Sequence, residues 1–547
     1  MRNQLLTKGW LPLILTVTLL MRLPYVTTAG HSYDLRELGS WGEGIVQQGL
    51  FSVYYNVPGA NYPPVYVVML GVAASLWQNT AYMTPLLKLF PVLCETLMIL
   101  AIAVWLSPEK RWRWIVPLCL ALNPDIIATT ALWGQAESVM TLFLVLALIA
   151  LNRDKPLLVG VFYALALLTK FQSVVLVPLL VILMFRRYGW RALLASAVIC
   201  FLIMVAVMLP FINGSGWDAA MRHYISAWYP QPTTLNAFNV WYWITPPIVG
   251  DLWSTPAGSV METQPFWNGI TYRHLGLAMV SLYTLLICVS MWRQYQQKRE
   301  FLWAAALYMG FFMLATKMHE RYVYPAVIFA IIGVAQDRRL WFAALGLSLT
   351  YLFNVTYTLD AHFVWLGLPM LRLLPGTLLN AMILLNVAVL LEMARVLFPE
   401  SRIRLLNVSA RAFATITVAA MLLLIIAPSY TALPADAVPT NVQFGNGLTL
   451  EGYQQTPSAL TLYWRVSDEI PEDIYIVQLF TSEFGTFRLL YGEVLQPNNL
   501  WLHLSWVGRQ LTSTYPVASI ETPLYVKFYN VDQSWSSEVL PIRSSTP

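Results

Sequence analysis

Long apolar runs punctuated by short basic turns fill the chain to about residue 430, where short alternating runs replace them. Apolar stretches of about 18 residues read as bilayer spans. On that basis spans are predicted near residues 10–26, 84–106, 115–130, 139–151, 157–168, 174–185, 192–212, 274–291, 302–315, 322–334, 342–358, 378–396 and 413–426, about thirteen in all. Stretch 62–77 is also apolar but opens on Pro63-Pro64. It is read as an interfacial helix of an outer loop, because counting it as a span would place Lys110, Arg111 and Arg113 outside.

With the N-terminus inside, the remaining short basic loops then share one face. They carry Arg153 and Lys155; Arg186, Arg187 and Arg191; Arg293, Lys298 and Arg299; Arg338 and Arg339; and Arg402, Arg404 and Arg411. That asymmetry is what the positive-inside rule expects, and the odd span count puts the C-terminus outside. Two long outer loops result, 27–77 and 213–272. After a linker at 431–440 come LTLEGY, ALTLYWRV, IYIVQLF, FRLLYGEV and PLYVKFYNV, separated by turn residues. These read as strands of a soluble antiparallel β-sandwich over 441–547. The expected architecture is a multi-pass α-helical membrane domain over 1–430 followed by that exoplasmic domain.

Composition agrees with this picture. Of 547 residues, 58% are hydrophobic and 11% charged, against roughly 25% charged in soluble domains. The 22 Trp and 28 Tyr suit two interfacial belts. A net charge of +5 is modest, and nothing points to nucleic acid. Cys94, Cys119, Cys200 and Cys288 all fall in apolar runs and imply no disulfide framework. Stretch 10–26 lacks a small-residue cleavage site and is read as a retained span.

Ionisable groups at membrane depth are costly and mark functional sites by default. Those on the expected outer side are Asp34, Arg36 and Glu37; Asp125; Glu137; Lys170; Arg222 and His223; His319, Glu320 and Arg321; Asp360 and His362; and Arg372. Asp34, just beyond the first span, is the candidate catalytic base. A sugar leaving on a phosphate needs no acid, whereas the acceptor hydroxyl needs one base. The departing phosphate needs cations or donors, for which His319, Arg321 and Lys170 are candidates. Tyr62, Glu37, Gln135, Glu137, Gln172, Trp228 and Glu320 are candidate cavity residues. The structural alternative for Asp34 is a helix cap, with a helix starting near Leu35 and Glu37 at its N3 position. No Walker loop, zinc spacing or clustered acids appear in the first loop, so neither a metal nor a cofactor is expected.

Several segments, in order, carry a family resemblance: RLPY and HSYDLRE, then ANYPPVY; LNPDIIATTALWGQAESVM; ALLTKFQSVVLVPLL; WYPQPTTLNAFNVWYW; and ATKMHERYVYP. Together they resemble the GT-C superfamily of integral membrane glycosyltransferases. The layout is similar to the dolichyl-phosphate-glucose-dependent glucosyltransferases of asparagine-linked glycosylation and to bacterial mannosyl- and arabinosyltransferase-like relatives. The resemblance implies a polyprenyl- or dolichyl-phosphate sugar as donor, a glycan, glycolipid or lipid-linked saccharide as acceptor, and inversion at the sugar. It also implies Asp34 as base and His319 beside the donor phosphate, with Lys170 and Arg321 as further phosphate-side groups. The β tail resembles extensions on bacterial membrane enzymes, so the expected location is a bacterial plasma membrane with the site on its outer face. Two other readings remain open: a transporter or flippase of lipid-linked saccharides, which would show inverted repeats, and a polymerase or ligase of them.

Overall fold

Apolar runs that end in a capping residue and a proline become a set of mostly short helices. The computed structural model describes residues 2–28, 30–77, 83–109, 111–225, 229–243, 260–362, 376–398, 433–444, 448–456, 459–466, 475–483, 486–494, 510–516, 524–530 and 540–542. The described residues form two compact units. One is drawn from 1–248, 253–355 and 383–414, the other from 249–252, 356–382 and 415–547.

The helices, in order, are α1 (Arg2–Leu20), α2 (Leu23–Val26), α3 (Ser32–Gln48), α4 (Val53–Asn56), α5 (Pro64–Trp77), α6 (Met83–Trp105), α7 (Trp112–Leu122), α8 (Pro124–Ile127), α9 (Glu137–Asn152), α10 (Pro156–Leu167), α11 (Val177–Ser215), α12 (Trp217–Ile225), α13 (Tyr272–Gln294), α14 (Glu300–Leu314), α15 (Tyr324–Gln336), α16 (Trp341–His362) and α17 (Gly376–Leu397). Among the described residues five helical stretches are long and apolar enough to cross a membrane, or six if the bent pair 112–122 and 124–133 counts as one span. The count of thirteen is thus not confirmed: five or six described stretches meet that measure, others are shorter pieces, and the span expected at 413–426 lies outside the described residues. α9, α10 and α14 hold 16, 12 and 15 residues, so even α9 is only roughly 24 Å long at 1.5 Å per residue. The two spans expected at 174–185 and 192–212 fall in α11, where two helices meet at a break, Gly189 taking φ 80° and ψ 175°.

The bent pair shows why the chain breaks where it does. Asn123 caps α8 by accepting the Asp125 amide at 3.2 Å, and Pro124 sits at the first helical position. The axis turns by 49° there. Arg22, fully buried, clasps the end of α7 from outside the helix. It donates to the carbonyls of Ala121 at 2.8 Å and Leu120 at 3.3 Å, and pairs with buried Glu95 of α6. Glu95 also accepts from Thr130 in the π-turn Ala128–Trp133 that follows α8. The guanidinium thereby satisfies helix-end carbonyls that would otherwise be stranded in an apolar surround.

The short helices run between two polar ends. α9 begins at Glu137 and ends at Asn152, whereas α14 begins at Glu300 and ends next to His319. Asn152 donates to Glu300 at 3.2 Å, Trp105 at the end of α6 donates to Asn152 at 3.2 Å, and Arg187 of α11 pairs with Glu300. One end of the bundle thus gathers the basic loops around residues 152, 187 and 298–300. The other gathers Asp34, Glu137, Lys170 and Arg321.

The first of the two loops expected on the outer side is folded, as α3, α4 and α5. The second contains the end of α11, α12 and three short strands: β1 (Thr234–Leu235), β2 (Pro265–Trp267) and β3 (Ile270–Thr271). β1 pairs in parallel with β4 (Met318–His319), placing the second loop directly behind His319. Buried Glu262 staples that arrangement. It pairs with Arg273 and, at 2.8 Å, with Lys317, and accepts from Thr316 at 2.7 Å.

In the C-terminal region the strands form two four-stranded antiparallel sheets. One has the order β10 (Gln510–Pro516), β7 (Ala459–Val466), β6 (Leu448–Thr456), β5 (Val438–Phe444). The other runs β12 (Leu540–Ile542), β11 (Leu524–Asn530), β8 (Tyr475–Glu483), β9 (Thr486–Val494). Leu460, Leu462 and Trp464 alternate along β7 and are buried, the period-2 signature of a one-sided sheet. β5 begins at Val438, inside the stretch read as a linker.

Candidate active site

The site starts from a helix N-terminus. α3 begins at Ser32, three residues earlier than expected, and its N-cap is His31, whose Nδ1 accepts the Asp34 amide at 3.2 Å. This corrects the capping alternative: Asp34 is not the cap. It occupies N3, so its carboxylate is free for other partners. The helix dipole at that position favours negative charge.

Those partners come from one turn of chain. Trp133 Nε1 donates to Asp34 Oδ2 at 2.8 Å, and the Gln135 amide donates to the same oxygen. Gly134 makes this possible. It adopts φ 92°, and a Cβ there would stand 2.8 Å from Leu35 Cδ2, so only glycine lets residues 133 and 135 both face the carboxylate. Among the described residues no hydrogen bond reaches Oδ1; its nearest charged neighbour is His31 Nδ1 at 3.7 Å. Asp34 keeps 17% of its side-chain surface exposed. Burial alone would raise its carboxyl, but His31, Arg321, the Trp133 hydrogen bond and Lys170 outweigh that and hold it below the ordinary aspartate value. The group is an anion at neutral pH, with one oxygen pinned and one open.

Facing Asp34 is a chain of buried charges. Lys170 pairs with Glu137, and Arg321 Nε stands 3.7 Å from the same Glu137 oxygen. Arg321 also reaches Glu320 at 2.9 Å. Lys170 lies over the Tyr62 ring at 5.0 Å and the Tyr322 ring at 5.8 Å, and Arg321 lies over Trp133 at 5.7 Å. Burial lowers the Arg321 pKa, but Glu320, Asp34, Tyr62 and Glu137 more than reverse that and keep it firmly charged. Arg321 Nε and Glu137 Oε2 are buried and make no hydrogen bond among the described residues. His319, edge-on to Tyr322 at 5.1 Å, is driven well below the ordinary histidine range by burial and by the charges of Arg321 and Lys170. It is therefore a neutral donor and acceptor. Burial raises Glu320, with Arg321 pulling the other way, and burial keeps Tyr62 a neutral phenol.

Residues 61–316 match glycosyltransferase family 87. The match is consistent with a membrane glycosyltransferase of the GT-C type, and it supports transferase activity. Comparison with curated proteins gives no match. The matched stretch contains Tyr62, Gln135, Glu137, Lys170 and Gln172; Asp34 precedes it and His319, Glu320 and Arg321 follow it. The family 87 segment thus supplies the middle of the cluster, and chain on either side of it supplies the carboxylate and the His-Glu-Arg turn.

Of the other candidates, Glu37 lies on the Asp34 face of α3, three residues on, and its charge is felt at Tyr62. Gln172 contributes its backbone carbonyl to Tyr308 at 3.0 Å. Trp228 and Arg372 lie outside the described residues, as do the side chains of His223, Asp360 and His362. Asp125, grouped with the outer charges in the sequence, is instead fully buried beside Asn123. Sequence reasoning missed His31, Trp133 and Tyr322. Histidine three residues before an acid at a helix start is cap spacing, and that was the available signal for His31. Among the described residues no group of three or more His, Cys, Asp or Glu is placed to hold a metal ion.

Proposed function

We propose that this protein transfers a hexose or pentose from a polyprenyl- or dolichyl-phosphate to a hydroxyl of a glycan, glycolipid or lipid-linked saccharide, with inversion. The reading rests on the Asp34 carboxylate, whose Oδ2 is held by two donors while, among the described residues, no hydrogen bond reaches Oδ1. Asp34 Oδ1 takes the proton from the acceptor hydroxyl as its oxygen bonds to the sugar's anomeric carbon. The bond from that carbon to the phosphate oxygen breaks, and lipid phosphate leaves as an anion. One displacement with no enzyme-bound sugar inverts the centre.

Charge then builds on the phosphate. Arg321, whose buried Nε makes no hydrogen bond among the described residues, and Lys170 are the cations beside Asp34, and neutral His319 adds a donor. The gathering of basic loops at the far end of the bundle supports an exoplasmic site under the positive-inside rule.

The test is release of polyprenyl phosphate by the purified chain, given polyprenyl-phosphate mannose, glucose or arabinose with an octyl glycoside as acceptor. Turnover with one of them is expected, and His319→Ala should raise the donor KM about tenfold, the loss of one hydrogen bond to a charged group, leaving the acceptor KM unchanged. Absence of turnover with every donor, combined with movement of labelled lipid-linked sugar across proteoliposomes, would replace the enzyme reading with a transporter.

A further inference from the structure

We infer that His31 is the positioning residue for Asp34, and that it works only as the neutral imidazole carrying its proton on Nε2. The inference rests on Asp34 being the base. Its first support is the cap: Nδ1 accepts the Asp34 amide at 3.2 Å, so that nitrogen holds a lone pair and no proton.

A serine, threonine, aspartate or asparagine would cap equally well. What histidine adds is a flat ring. It stacks on Trp133, centroids 4.8 Å apart and planes within 3°, and the same indole donates to Asp34 Oδ2 at 2.8 Å. One buried side chain therefore fixes both the backbone that carries the base and the donor that pins its second oxygen.

The third support is where Nδ1 stands relative to the working oxygen, 3.7 Å from Oδ1. In the neutral ring Nδ1 has no proton to give, and Oδ1 stays open. A proton added to Nδ1 reverses both relations. The ring can no longer accept the Asp34 amide, and it becomes a donor aimed at Oδ1. A single protonation of His31 thus loosens the cap and occupies the base together. The charged groups placed near the ring are Asp34 on its own helix and Arg321 over the Trp133 ring on which His31 stacks, while the Lys88 amine of α6 is turned to the Tyr25 and Thr28 carbonyls. The carboxylate favours the imidazolium and the guanidinium opposes it.

The experiment compares wild type, His31→Asn and His31→Ala as full chains in detergent, by pH profile and by 15N NMR of the imidazoles. Asparagine restores the cap but not the stack. His31→Asn is expected to lose about tenfold in kcat with KM within about twofold, and its acid limb should move to lower pH. His31→Ala should lose more and also melt a few degrees lower. In wild type the resonance that disappears in His31→Asn should show Nδ1 unprotonated at neutral pH.

A protonated Nδ1 at neutral pH would overturn the inference, and so would a His31→Asn kcat and acid limb equal to wild type. The NMR arm needs no donor, so it decides even without detectable turnover. If Asp34→Asn were fully active, the base reading would fall although the tautomer result stood. If Asp34→Asn were inactive and His31→Asn normal, only the present inference would fall.

Discussion

The Glu300 cluster at one end of the bundle and the Asp34 cluster at the other are built from the same materials and differ in how far their polar groups are used up. At the basic end, Glu300 is fully buried and spoken for: Arg187 takes one oxygen, and Asn152 at 3.2 Å and Gln336 at 3.1 Å share the other. Arg187 in turn donates to the carbonyls of Tyr295 at 2.7 Å and Gln297 at 3.1 Å. At the opposite end Asp34 Oδ1, Glu137 Oε2 and Arg321 Nε each lack a hydrogen bond among the described residues. Burying polar groups without partners costs free energy. A saturated cluster is what structure requires, whereas an incomplete one gathered around an open carboxylate oxygen is what a substrate would complete.

That contrast predicts opposite phenotypes for two acids. Asp34→Asn is the larger effect: turnover should fall by about 10²–10⁴, the usual worth of a general base, while the unfolding midpoint stays near wild type. Glu300→Ala should do the reverse. It strands a guanidinium that is 11% exposed, and breaking a buried pair costs about 3–5 kcal/mol, read as a lower unfolding midpoint. The kcat of the folded fraction should be unchanged. A Glu300→Ala protein that is stable but inactive would erase the distinction between the two ends.

Next in size is Trp133→Phe, which keeps a ring against His31 but deletes the Nε1 donor. A hydrogen bond to a charged group is worth about 1.5–3 kcal/mol, so kcat should drop by about tenfold or more. The Asp34 carboxyl should also rise toward its ordinary value, because that bond is one of the influences holding it down. An unchanged pH profile and rate would mean Gln135 alone orients Asp34.

How much of this could be read beforehand varies from residue to residue, for physical reasons. Asp34, Gln135, Glu137, Lys170 and Arg321 were recognisable because each is a polar group at the end of an apolar run, where burial is costly enough to need a purpose. Their meeting in one cluster follows from helices that alternate direction. Trp133 was not recognisable as a ligand of Asp34, since an indole at a membrane face has an interfacial reason to be there. His31 escaped because its role depends on where α3 begins, and helix boundaries are set by the cap itself rather than by the apolar pattern. Arg22 and Glu95 lie 73 residues apart, and only the packing of α2 against α6 pairs them. The span count is not confirmed among the described residues for a related reason. A continuous apolar run is needed for burial against other helices as much as for crossing a bilayer, so α9, α10 and α14 look like spans in hydropathy while being too short to cross alone.

The smallest expected effect sharpens the comparison further. Arg36 is charged, sits two residues from Asp34 on the same helix, and is exposed. Two positions along an α-helix is a rotation of about 200°, so Arg36 points away from the face that carries Asp34, and position 37 comes back toward it. If what matters is membership of the incomplete cluster, proximity in sequence counts for nothing. Arg36→Ala should then leave kcat within about twofold and stability within about 0.5 kcal/mol, as for other surface substitutions. A large rise in acceptor KM in Arg36→Ala, at unchanged donor KM, would show instead that the exposed face of α3 holds the acceptor, and the site would have to be drawn around both sides of that helix.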